Sequence, residues 1–485
     1  MNGRYTRRGF LEQSLIAAAA GMAGIGVTTE AYGDRVVHAS KRTAQNDKIH
    51  IAVIGLNGRG KAHLDAYLGR DDVEVVAICD VDQTVADGAV ARVVKKGKPA
   101  PPTFQDIRKL LELKGLDAVS IATPNHWHSL AAIWSMQAGK DVYVEKPVCH
   151  NVHEGRVLVD TARKYNRICQ AGTQSRSHKA CQQAMEYVHS GKIGKVFLSR
   201  GLCYKRRDSI GKSSGPLTVP STIDYDVWLG PAPNKPPMRE HFHYDWHWFW
   251  DYGNGDLGNQ GIHQMDIARW ALDKNSLPNA VMSVGGRFGY VDDGETPNTE
   301  LSFFDYGDTH LIFEVRGLKT DGLKGVKIGN IIYGSEGYVV ITDNYGKAAA
   351  FENGEKPVQE FNGGGDHFAN FLTAVRSRKT ADLNADIEKG FVSSALCHLG
   401  NISFRLGSEQ PFNTDTRQFD KDAAEALDRF QTHLADNGVD LKLMKYALGP
   451  HLKIDAKKER FRDNAAANAH ITREYRAPFV VPEKA

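Results

Sequence analysis

Residues 49–60 constrain the fold most. Ile49-His50-Ile51-Ala52-Val53-Ile54 is a short, mostly β-branched run closed by Gly55, and Leu56-Asn57-Gly58-Arg59-Gly60 follows at once. Such a run, ended by a turn residue, reads as a strand buried on both faces, as in parallel sheets. Residues 60–68 then read as a helix and residues 73–78 as a second strand, with further strands at 118–122 and 141–144 among helical stretches. Strand–helix alternation predicts βαβ units, and hence a parallel sheet covered on both faces over residues 48–170.

The loop after the first strand approximates the glycine pattern of dinucleotide sites. Gly55 and Gly60 take the outer positions, Asn57 stands at the usual middle glycine, and Gly58 follows. Asn tolerates left-handed backbone, so Asn57 is read as a close-approach position. Backbone N–H groups of this loop, Arg59 included, would face a pyrophosphate at the helix N-terminus. Asp80 ends the second strand, 20 residues beyond Gly60, with no Arg or Lys beside it. A carboxylate there accepts from both adenosine ribose hydroxyls and repels a 2′-phosphate, so NAD is expected rather than NADP.

Ligands of open α/β sheets lie beyond the carboxyl ends of the strands. Two clusters fall there: Thr123-Pro124-Asn125-His126-Trp127-His128 and Glu145-Lys146-Pro147. A third, Gly-rich cluster ends in His263 and Asp266, three apart and so neighbours on one helix face.

Together these motifs resemble the Gfo/Idh/MocA oxidoreductases, which include glucose–fructose oxidoreductase and inositol dehydrogenase. The resemblance spans roughly residues 48–410. It implies an α/β fold: a Rossmann-type parallel sheet, then an α+β domain over residues 171–412 with a largely antiparallel open sheet. By that resemblance Lys146 would shuttle the substrate hydroxyl proton, which requires a lowered pKa. His263 matches the catalytic histidine. Asn259 stands where the family often has Asp; an amide orients a hydroxyl but cannot take its proton, so Asp266, or less readily Asp256, is a candidate replacement. Thr123, Pro124, Asn125, His128 and Glu145 are expected beside the cofactor, and Gln174 and Arg176 beside the substrate.

The segment 241–250, His-Phe-His-Tyr-Asp-Trp-His-Trp-Phe-Trp, mixes flat rings with polar tips. It suits stacking on sugar C–H surfaces, with Trp248 as a substrate contact, or core packing. Its three histidines invite a metal, but no regular element converges them and none is expected.

Later residues read as longer strands (196–204, 299–304, 309–315, 338–342) with helices at 366–376 and 387–406; the charged tail 413–485 reads as an arm over this subunit or a neighbour. Arg7-Arg8-Gly9-Phe10-Leu11, followed by the Ala/Gly-rich run 15–27, resembles a twin-arginine export signal over residues 1–31, with a polar linker at 32–47. The apolar run is shorter than the ~20 residues of a membrane span. Export to a periplasmic or other extracytoplasmic compartment is therefore expected, where no free nicotinamide cofactor is supplied and NAD must be held tightly. Lys+Arg 61 against Asp+Glu 58 argues against a nucleic-acid partner. Six cysteines without a C-x-x-C pair read as buried apolar residues.

The expectation is an exported NAD(P)-dependent oxidoreductase of a sugar or polyol, with internally recycled NAD, as a homodimer or homotetramer. One alternative is a redox-neutral NAD-dependent glycosidase working by oxidation, elimination, hydration and reduction. The Tyr-Pro-Thr-His-Gly stretch of NAD-dependent α-N-acetylgalactosaminidases is absent from the chain. The other is a non-catalytic sugar-binding protein.

Overall fold

The computed structural model describes residues 48–352, 354, 356–412 and 420–485; the export-signal and linker readings lie outside these. The N-terminal strands are β1 (Ile49–Ile54), β2 (Val73–Cys79), β3 (Thr103–Phe104), β4 (Ala118–Ile121), β5 (Asp141–Val144) and β6 (Cys169–Ala171), of which the two-residue β3 was not expected from the sequence. They form a six-stranded sheet in the order β3-β2-β1-β4-β5-β6, and every pairing is parallel. This is the doubly wound dinucleotide order.

Both faces of β1 are buried, as its composition requires. Ile49, Ile51 and Val53 pack with Leu64 and Tyr67 of helix Gly60–Leu68 and with Phe371 and Leu372 of the distant helix His367–Ser377. Ala52 and Ile54 pack on the other side with Leu130 and Ile133 of helix Asn125–Gln137 and Leu158 of helix Val152–Lys164. Asp82, Asn151 and Asp366 start three of the surrounding helices by accepting from the backbone N–H two or three residues on.

The second sheet is built around β7 (Val196–Cys203), β8 (Ala280–Gly286), β9 (Thr299–Asp305), β10 (His310–Arg316), β11 (Ile328–Gly334), β12 (Tyr338–Ile341), β13 (Lys347–Phe351) and β14 (Gln359–Asn362). The pairings are antiparallel except one: β10 runs parallel to β7. The tail adds β15 (Ser408–Pro411), β16 (Lys445–Leu448), β17 (Leu452–Asp455) and β18 (Arg460–Phe461) beyond β8.

The tail covers its own subunit. Helix Lys421–Asp436 lays Ala426, Leu427, Phe430 and Leu434 on Leu198, Leu301 and Ile312 of the sheet. Beneath it Glu314, fully buried, accepts from Arg429 (2.6 and 2.8 Å), Tyr204 (2.6 Å), Arg200 (3.1 Å) and Arg316 (3.2 Å). Burial alone would raise this carboxyl's pKa; the surrounding guanidiniums reverse that and pull it down to about 2. Part of the sheet face expected to be open is thus occupied by the chain's own helix. The neighbouring cluster of Ile331, Tyr338, Val340 and Phe351 contains no helix residue among the described residues, and Tyr333 lies between it and the tail helix.

Candidate active site

A cavity of about 410 Å³ runs along the carboxyl ends of β1, β2, β4 and β5, and loop and helix residues of the second domain complete its lining. Its lining includes Gly55, Leu56, Asn57, Gly58, Arg59 and Asp80 from the first strand-end loops and Lys146, Gln174, Asn259 and His263 beyond them. Thr123, Pro124, Asn125, His128 and Glu145 form the wall between.

The glycines of the loop have separate tasks. Gly55 has φ +81°, and a Cβ there would lie 2.7 Å from Thr123 N. A Cβ at Gly60 would lie 1.8 Å from Gly55 O, so the helix can begin this close to the strand only with glycine. Gly58 has open space where its Cβ would be. The left-handed position is Gly55; Asn57, expected to take it, is absent from the positive-φ residues, which corrects that part of the reading.

Asp80 is buried, and its Oδ2 accepts from Leu56 N (2.7 Å) while Oδ1 accepts from Asp82 N (3.0 Å). Two N–H donors leave the carboxylate with lone pairs for ribose hydroxyls, a set that fits NAD. Thr123 Oγ1 and Asn125 Oδ1 in the wall are buried without hydrogen-bond partners among the described residues.

Glu145 lines the cavity but its carboxylate is committed to protein. Oε1 accepts from Arg59 Nε and from His63 Nε2, each at 3.0 Å. His63 is held in turn by Ser120 (2.9 Å), which also accepts from Tyr67 (3.1 Å). Burial opposes ionisation of Glu145, yet His63 and Arg59 hold its pKa well below the ordinary range. Glu145 therefore positions Arg59 over the glycine loop. His128 lies between the two strand-end loops, its ring nitrogens 2.6 Å from Pro147 O and 2.7 Å from Thr123 O; burial lowers its pKa, so the neutral ring donates to one of the two carbonyls.

Lys146 reaches across to the second domain, where its Nζ donates to Asn259 O at 2.9 Å. Burial lowers its pKa, Arg59 and Lys205 lower it further, and Glu145 and Asp256 oppose them. Asn259 thus acts on the amine through its carbonyl. His263 is pushed down to about 3 by burial, then by Lys146, and presents a neutral imidazole beside Tyr345.

Several expected contacts are corrected. Asp266 and Arg176 do not line the cavity; they form a buried bidentate pair (2.8 and 2.9 Å), with Ser393 donating to Asp266 at 2.7 Å. The two side chains are turned toward each other rather than into the cavity. Asp256 is likewise held by Arg207 (2.7 and 2.5 Å). Trp248 is buried under Arg207 and Arg287 rather than in the cavity. Its place is taken by Tyr244, Trp246 and His247 of the same segment. The three histidines of that segment point to different partners: His241 to Asp245, His243 to Asp82 and His247 to Tyr244 O. No group of His, Cys, Asp or Glu suited to a metal occurs among the described residues.

Residues 222–247 also roof the end of the cavity nearest Asp80, a role motif spacing did not reveal. Asp224 N donates to Val81 O (2.9 Å), Gln83 N to Thr222 O (2.9 Å), and Gln105 reaches both Val81 O and Thr222 O. His243 lies 3.0 Å from Asp82. Trp228, Val227 and Gln105 join the lining through this crossing. The aromatic density of 241–250 was the one available signal. His247 was also missed as a cavity group; its Nδ1 bonds Tyr244 O at 2.7 Å, which places the proton there and leaves Nε2 as an acceptor.

Comparison with known proteins bears on the family and the fold. The chain is 38% identical over 127 residues to a glycosyl hydrolase family 109 protein of Shewanella putrefaciens, covering 25% of this chain and 28% of that protein. It is 35% identical over 125 residues to an alpha-N-acetylgalactosaminidase of Shewanella oneidensis, covering 25% and 27%. This chain therefore spans less than a third of those two relatives. In fold it is similar to the WlbA dehydrogenase of Bordetella pertussis, solved with NADH and UDP-GlcNAcA, at TM-score 0.54 and 18% identity over 74% of this chain and 97% of that one. Models of one oxidoreductase family match residues 49–173, as its NAD-binding Rossmann fold, and 193–433, as its C-terminal alpha/beta domain. With its glycine loop, Asp80 and strand-end cavity, this chain belongs to the Gfo/Idh/MocA family and carries that family's NAD-binding domain.

Proposed function

We propose that this protein oxidises a hydroxyl of a carbohydrate or polyol while keeping its NAD between turnovers. The observation that carries the reading is Lys146, a half-buried amine held at 2.9 Å from Asn259 O, of lowered pKa, in the same cavity as the glycine loop and Asp80. NAD bound along the loop supplies a two-electron acceptor at its nicotinamide end. Lys146 takes the hydroxyl proton, and Asn259 O holds the amine in place. His263 and His247, both neutral, orient neighbouring hydroxyls, and Tyr244 and Trp246 offer ring faces to the sugar. The roof formed by residues 222–247 restricts exchange of the cofactor.

Export by the twin-arginine route belongs to the same proposal. Its support is the Arg7-Arg8 pattern and the roofed cavity, since a compartment without free nicotinamide requires the cofactor reduced by one sugar to be reoxidised on site by the carbonyl of another. No described helix is long and apolar enough to cross a membrane. Assembly as a dimer or tetramer is proposed through the sheet surface of Tyr338 and Phe351.

The glycosidase names of the relatives favour a second reading: redox-neutral cleavage, in which a sugar carbon is oxidised, the leaving group eliminated, water added and the ketone reduced. His247 Nε2, held as an acceptor, suits removal of the carbon-bound proton in such an elimination. The test is to add a panel of sugars and aryl glycosides to purified protein and follow both the reduced-nicotinamide band and the released aglycone. A lasting band favours net oxidation, and aglycone without net reduction favours cleavage. Neither signal, with sugar binding retained, would leave a sugar-binding protein.

A further inference from the structure

A second cavity, of about 240 Å³, is enclosed by four chain segments. Residues 150–151 come from the loop after β5, residues 250–254 follow the aromatic segment, His398 to Arg405 belong to helix Ile387–Arg405, and residues 469–473 belong to the C-terminal arm. Its lining is strongly biased toward donors. Arg473 and Arg405 are both present, and the one carboxylate, Asp251, is paired with Lys235 at 2.7 Å.

The hydrogen bonding of this lining is incomplete. Arg473 Nη1 donates to His150 Nδ1 (3.2 Å) and to Asp251 O (2.9 Å), while Arg473 Nη2 is buried with no acceptor among the described residues. Because a guanidinium can only donate, His150 Nδ1 must be the acceptor, so the ring proton sits on Nε2. That N–H is also buried without a partner. Asn254, 4% exposed, uses its carbonyl to accept from Asn401 Nδ2 (3.1 Å), but its own side-chain Nδ2 has no acceptor. Against one unpartnered acceptor, Asn401 Oδ1, the space is bordered by three unsatisfied donors and two guanidiniums, which matches a ligand rich in acceptors and negative charge.

We propose that this cavity is a binding site for a small oxyanion, a phosphate, sulfate or carboxylate group, separate from the NAD cavity. The anion joins the C-terminal arm, through Arg473, to the loops that leave the active site. His150 lies four residues after Lys146, and Asn254 five residues before Asn259. The ligand is thus placed to stiffen both supports of the Lys146–Asn259 contact.

The experiment uses the full chain saturated with NAD, so that the dinucleotide loop is filled. Phosphate, sulfate, acetate and citrate are titrated separately by calorimetry and thermal unfolding, with chloride at matched ionic strength as the control. One of these oxyanions is expected to bind saturably with one site per chain and to raise Tm with its concentration. Whether the tetrahedral anions or the carboxylates bind better identifies the group. Arg473→Gln and Asn254→Asp, which respectively remove a charged donor and add a repelling carboxylate, should each weaken binding by about tenfold or more without changing NAD content. Absence of saturable binding beyond the chloride control would overturn the proposal. So would unchanged affinity in either folded variant.

Discussion

Lys146 and Asn259 join the two halves of the active site: the amine from the loop after β5 donates to the carbonyl that ends helix Gly255–Asn259, at 2.9 Å. This bond aims a flexible side chain at one place without using a carboxylate, so the amine can still lose its proton. Lys146→Met should lower turnover by about 10²–10⁴-fold while leaving NAD bound, as read from steady-state rates and the nucleotide released on denaturation. Normal turnover in that variant would remove Lys146 from the mechanism.

The pH profile tests the same residue through its neighbour. Lys146 acts as a base only when neutral, so activity should rise with pH through its lowered pKa, below the ordinary lysine range. Lys205 is one of the charges that lowers it, and its own hydrogen bond is to Gln260 Oε1 at 3.2 Å. Lys205→Met removes that repulsion and should move the rising limb to higher pH. A limb that stayed put, or moved down, would contradict the electrostatics described above.

Gly58 and Gly60 should respond oppositely to one methyl group. Gly60→Ala forces a Cβ to within 1.8 Å of Gly55 O and should abolish NAD retention or folding, whereas Gly58→Ala meets open space and should leave the fold intact. Circular dichroism and bound-nucleotide content distinguish the two.

Asp80→Ser should weaken NAD binding and reduce the preference over NADP. The carboxylate also satisfies Leu56 N and Asp82 N, so stability should fall by about 1–3 kcal/mol as well. Competition between the two nucleotides, read by mass spectrometry, gives the preference independently of the stability loss.

Asp266 should prove structural. Asp266→Asn strips the charge from a fully buried pair with Arg176 and should cost about 3–5 kcal/mol in denaturant unfolding, with an unchanged pH–rate profile in the protein that remains folded. Burial opposes its ionisation, but Arg176 and Arg269 keep its folded pKa below the ordinary aspartate value. Its contribution to stability is therefore present above the unfolded value and lost as pH falls through the folded one.

Glu300 carries the opposite sign. Burial raises its pKa to about 8, with only Ser302 (3.3 Å) opposing. The folded chain keeps a proton that the unfolded chain releases near the ordinary glutamate value, so stability should fall by about 1.4 kcal/mol per pH unit across that window. Glu300→Gln should flatten this slope, which Tm measured against pH would show directly.

Local chemistry alone determined the first half of this protein. Strand composition, the spacing of Gly55, Gly60 and Asp80, and the strand-end position of Lys146 all act over short stretches. They pointed to a parallel sheet and an NAD loop, which the sheet order and the family match bear out. The second half was legible as strands and helices, but not in its pairing: the parallel contact of β7 with β10, and the tail helix lying over the sheet, depend on partners more than a hundred residues apart. The same limit governed the site. His263 and Asp266 look equivalent by helical spacing, yet the first lines the cavity and the second is claimed by Arg176 from another element. Tertiary structure decided which polar side chains were free to meet a ligand, because a buried charge goes to whichever opposite charge the fold brings within reach.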